Sequence, residues 1–224
     1  MARRRNQKKQ ETIVDVVEAR DKATNYFEEN QNTVLGLLAL AVLIIGGFFA
    51  YRTLVKAPKE KEASAQLERA QTQFERDSFA LALTNPGDGF FGFLDIADVY
   101  GNTKAGNSAS YYAGISYLQL GEFDAAISFL NDFSAPDEIF SIMKHGALGD
   151  AYSELGQNDN ALSSYKKAVK AGSNEALTVL YLKRLALFLE KEGNMAEAKK
   201  YFQQIKDDYP VSYTHLTLPT TPYV

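Results

Sequence analysis

The chain is 224 residues long with 46% apolar residues, enough to build the core of one ordinary domain and an appendage. It has no cysteine, which excludes disulfides, thiolate nucleophiles and cysteine metal sites. Its net charge of −4 conceals a split, because residues 1–61 carry 11 Lys and Arg against 7 Asp and Glu, while residues 62–210 carry 13 against 21.

The first element, residues 1–32, is basic. Arg3, Arg4, Arg5, Lys8, Lys9, Arg20 and Lys22 lie there, and Ile13, Val16, Val17, Ala23, Tyr26 and Phe27 recur at helical spacing, as in an amphipathic segment lying on a membrane face. Thr33 to Tyr51 then runs 19 residues without a charge. At about 1.5 Å per residue such a helix spans one hydrocarbon core, so 33–51 is read as a transmembrane helix. A cleaved signal peptide would have a short leader and an A-x-A-like site, whereas 32 residues precede this stretch. The seven cations before it outnumber Arg52, Lys56, Lys59 and Lys61 after it, which predicts a cytoplasmic N-terminus and an acidic remainder outside the cytoplasm. The inverted topology, with the remainder cytoplasmic, is the alternative. The basic clusters read as topology determinants and not as a nucleic-acid site. Gly46 and Ala50 form a small-xxx-small pair, a spacing that lets two anchors pack, so a homo-oligomer stays open.

Residues 62–83, "EASAQLERAQTQFERDSFALAL", have apolar positions at helical spacing and few breakers, which predicts one long helix ended by "TNPGDG". "FFGFLDIADVY" (90–100) predicts a short apolar helix, and 62–102 together are expected to cap a helical stack beginning at residue 103. From that residue the sequence repeats itself. Gly114, Tyr117, Gly121, Ala126 and Leu130 correspond to Gly149, Tyr152, Gly156, Ala161 and Tyr165, and again to Ala186, Leu189, Gly193, Ala198 and Phe202. Gly121 to Gly156 is 35 residues and Gly156 to Gly193 is 37, a period resembling the tetratricopeptide repeat. The expected fold is all-α: a transmembrane helix, capping helices and three helix-turn-helix repeats over 103–210, about eight helices after the anchor. Pro210 is placed to stop the last one.

A basic tail, one anchor and a repeat domain carrying "GFLDIADVYGNTKAGNSASYYAGISYLQLGEFDAAISFL" resemble the membrane-anchored bacterial tetratricopeptide proteins of the YfgM-like type. The resemblance implies an inner-membrane protein with periplasmic repeats. It further implies a protein-interaction role as an ancillary factor at the Sec translocon, with translocon subunits, periplasmic chaperones or exported clients as partners. A scaffold for another envelope assembly machine is the alternative.

No catalytic motif is present, so the chain is read as a non-enzyme without cofactor or metal. Of the two histidines, His215 lies in the anomalous C-terminal stretch and His145 reads as a packing residue on the second repeat's first helix. A tetratricopeptide stack presents its first helices along a concave groove. By phase, the candidate partner-binding residues are Tyr111, Ile115 and Leu118, then Met143, Asp150 and Glu154, then Lys183, Leu187 and Glu190. Asp150 and Glu154 near Lys183 argue against a carboxylate clamp, and the inventory fits an extended or helical segment with apolar and basic groups.

After Pro210 the composition changes to Thr, Pro and Leu in a period of two, although an all-helical stack offers no partner strand. Val211 to Thr220 match the translation of a common transposase sequencing adaptor. Residues 211–224 are therefore expected to be a library artefact. The natural chain is expected to continue with an amphipathic helix that would cover Phe202 and Ile205.

Overall fold

The computed structural model describes residues 20, 22, 24–26, 28–172 and 174–210. Most of the amphipathic lead-in (Ile13, Val16, Val17, Ala23 and Phe27), the basic residues before Arg20, and the 211–224 stretch with His215 lie outside them. The described chain is helical without strands and divides into two units after Ala57.

The first unit holds α1, Gln31–Tyr51, followed by a π-helical stretch, Arg52–Lys56. α1 is long and apolar enough to cross a membrane, and none of its residues is buried. Leu37, Val42, Leu43, Ile44 and Phe48 are all more than half exposed.

The second unit begins at Pro58, inside α2 (Ala57–Phe74). It continues through α3 (Phe79–Thr84), α4 (Phe93–Tyr100), α5 (Lys104–Leu120), α6 (Phe123–Asp132), α7 (Glu138–Glu154), α8 (Asn158–Lys170), α9 (Glu175–Lys191) and α10 (Met195–Asp208). The single helix expected over 62–83 is broken in two, which raises the expected eight helices to nine among the described residues. Asp77 takes a left-handed backbone, φ 56°, and Ser78 N–H donates to the Gln73 carbonyl at 3.0 Å, closing the end of α2. The turn swings Phe79 back onto Phe74, ring centroids 5.3 Å apart at 74°. Local helical spacing carries no sign of this, because the gain comes from an aromatic contact across the break. The helix expected from residue 90 starts only at Phe93: Phe91 N–H donates to Gln66 Oε1 at 2.8 Å, holding the approach against α2. Phe93 and Ile96 fill the core that α2 to α5 share with Leu67, Leu83 and Ala109.

The first helix of each repeat starts on a capping side chain. Thr103, Asp137 and Asn174 accept from the backbone N–H of Gly106, Phe140 and Leu177 at 2.9, 2.9 and 3.1 Å, satisfying donors with no intrahelical partner. Between helices of a pair, Gly121, Gly156 and Gly193 have φ of 79°, 68° and 79°, a left-handed turn that any side chain would strain. Ala126, Ala161 and Ala198 are buried where the second helix meets the first. Phe202 is half-buried and Ile205 is 2% exposed, packed on Val179 and Leu182 of α9. This corrects the expectation that both would face water. The outward face of α10 instead carries Lys199, Lys200, Gln203 and Lys206.

Candidate functional site

Each repeat is an antiparallel pair, α5 with α6, α7 with α8, α9 with α10, and the first helices pack side by side, α5 on α7 and α7 on α9. Consecutive helices alternate in direction, so the three first helices run parallel. Their C-terminal ends and turns share one edge, where Asn158 Nδ2 after the second turn donates to Glu192 Oε2 at the third.

Of the nine candidate residues, the structure leaves seven as surface groups of varying access. Leu187 is 47% exposed, and Glu154 and Glu190 are also exposed. Ile115, Leu118 and Met143 are half-buried around the α5–α7 seam. Lys183 is half-buried with no hydrogen bond or ion pair of its own among the described residues. Leu180, one turn before Lys183 and 42% exposed, belongs to the same surface.

Two candidates are spent inside the stack. Tyr111, 6% exposed, lies against Phe133 and Phe140 with centroid distances of 5.1 and 5.6 Å, so its ring joins the repeats and is not offered to a partner. Burial drives its phenol far above the ordinary tyrosine range. Asp150 accepts from Tyr165 Oη at 2.7 Å and pairs with Arg184 across the α7–α9 seam. Burial raises its pKa above the ordinary carboxylate value of 3.8, although Arg184 and Tyr165 pull it down and the like charge of Glu154 pushes it up again. The cation paired with Asp150 is therefore Arg184, the chain neighbour of Lys183 on α9. Arg184 also lies over the Tyr181 ring, 5.4 Å from its centroid, and Tyr181 occupies the space that a side chain on Gly146 would need.

Two segments of the chain match family models described as tetratricopeptide repeat, residues 108–135 and 147–213. The chain carries tetratricopeptide repeats. It is also similar to an uncharacterized protein, ycf37, of Guillardia theta, 29% identical over 116 residues, which are 50% of this chain and 64% of that protein. The chain thus spans less than two thirds of the length of that relative.

Tetratricopeptide repeats are typically scaffolds for protein partners. Among the described residues no group of three or more His, Asp or Glu side chains converges to hold a metal ion. His145 is half-buried with Nδ1 unpartnered, and burial, Lys167 and Lys144 lower its pKa below the ordinary histidine value. That is a packing histidine's environment. Sequence phase located the first-helix face. It missed Arg184, Tyr165 and Tyr181, because their roles depend on which neighbour they reach across a seam.

Proposed function

We propose that this chain is a membrane-anchored interaction scaffold of the bacterial envelope, with α1 as a single transmembrane helix, the N-terminus in the cytoplasm and the repeats in the periplasm. The face of α5, α7 and α9 binds an apolar-containing protein segment. The observation that carries this reading is the stripe of Leu180 and Leu187 on α9, both more than two fifths exposed on a helix where Val179, Leu182, Leu185 and Leu189 are buried. Exposed leucines two turns apart on one helix form an anchor pair for a partner. The side of the membrane rests on the excess of cations before α1. The role as an ancillary factor at the Sec translocon, handing clients to periplasmic chaperones, rests on the resemblance of the sequence to the YfgM-like type.

The test is photocrosslinking from position 187 in native membranes. Capture of translocon subunits, periplasmic chaperones or exported clients is expected. Capture of another envelope assembly machine would relocate the scaffold, and capture of cytoplasmic proteins alone would invert the topology.

A further inference from the structure

The edge where the three turns meet is charged in one sense. Glu122, Glu154, Glu190 and Glu192 lie on it with Lys191, while Lys166 is paired with Glu197 in the first turn of α10. Two of these carboxylates stand where the fold gains nothing from them. Glu154 is the last residue of α7 and Glu190 the last but one of α9, at helix ends where exposed carbonyls already present partial negative charge. Glu154 also stands one turn from half-buried Asp150 and disfavours its ionised form. The carboxylates of Glu154 and Glu190 have no hydrogen bond or ion pair among the described residues, whereas Asp150, the third acid of this face, is neutralised by Arg184.

We infer that the first-helix face takes an apolar segment flanked by Lys or Arg, its apolar side chains on Leu180 and Leu187 and its cations on the turn-side edge at Glu154 and Glu190. This rests on the first-helix face being the binding surface and adds the chemistry of what binds there. A cation at that edge relieves the unfavourable end charge of two helices at once and meets a carboxylate on each. Asp150 takes no part in recognition, because both its oxygens are engaged within the stack.

The test uses the full chain in nanodiscs of neutral lipid, with empty discs as control. The probes are two labelled peptides of alternating leucine and serine, one flanked by lysines and the other by glutamates. The lysine-flanked peptide is expected to bind about tenfold tighter, a difference that high salt erases. The combined E154K and E190K variant is expected to reverse the order. These substitutions place cations at helix C-termini, so melting by circular dichroism should show an intact fold. Leu187→Asp is expected to abolish binding of both peptides. Equal binding of the two peptides, still lost in Leu187→Asp, would overturn the basic-flank inference while leaving the face as the binding surface. Binding of either peptide untouched by Leu187→Asp would overturn the face itself. Failure of both peptides to bind the intact chain would overturn the apolar-and-basic chemistry assigned to the partner.

Discussion

The seam between α5 and α7 is filled by aromatic rings, Tyr111, Phe133 and Phe140, with pairwise centroid distances of 5.1 to 5.9 Å. The seam between α7 and α9 also packs apolar side chains, Tyr165 against Phe188 with centroids 5.6 Å apart, and adds to them the Asp150–Arg184 pair, with Tyr165 supporting Asp150 and Tyr181 laid on Gly146. The same repeat pattern thus joins its units by two kinds of force. Each edge-on ring pair adds roughly 0.5–1.5 kcal/mol beyond the area it buries, and salt does not weaken it. A half-exposed ion pair contributes about 0–1 kcal/mol and is screened. In the second seam, burial raises the pKa of Asp150 against the pull of Arg184 and Tyr165.

The largest expected effect tests the aromatic seam. Phe133→Ala removes a ring that is 2% exposed and should cost about 3–5 kcal/mol in urea unfolding. Amide exchange should then show α5 and α6 parting from α7. Gly146→Val should cost about 1–3 kcal/mol, because Tyr181 must leave its place. Pairing it with Tyr181→Ala should recover part of that loss in a double-mutant cycle, and strict additivity would show that the two do not touch. Tyr165→Phe strips Asp150 of one donor and should cost about 1–2 kcal/mol, with faster exchange confined to α8 to α10.

The smallest effect is a titration. A carboxylate whose folded pKa is raised contributes its stability below 3.8 and loses it as pH rises through the raised value. Carbon-detected NMR should place the Asp150 midpoint above 3.8. Arg184→Met should move it higher still, since Arg184 is the strongest of the influences that lower it. A midpoint that fell in the variant would mean the ion pair does not form.

Much of this architecture is legible from single positions. Gly121, Gly156 and Gly193 announce the turns because the left-handed backbone there disfavours most other residues, and Ala126, Ala161 and Ala198 announce the close approach of paired helices. An uncharged run of 19 residues announces α1. What phase cannot supply is the partner across a gap. Tyr111 occupies a groove position by spacing, yet Phe133 and Phe140 from the next segment of the chain close over it. Lys183 and Arg184 are neighbours about 100° apart on α9, and only the packing of α9 on α7 selects which reaches Asp150. The break at Asp77 is hidden for the same reason, since Phe79 folds back onto a ring in the preceding helix.

The start of α5 depends on a residue far upstream. Glu60, near the beginning of α2, accepts from the backbone N–H of Lys104 at 2.9 Å and of Ala105 at 3.0 Å, alongside the Thr103 cap on Gly106. The boundary of any excised repeat fragment is thereby set by one carboxylate. A fragment beginning at Lys61 would keep every helix of the three repeats and still strand two amide donors at the head of the first, whereas one beginning at Pro58 would carry its own stopper.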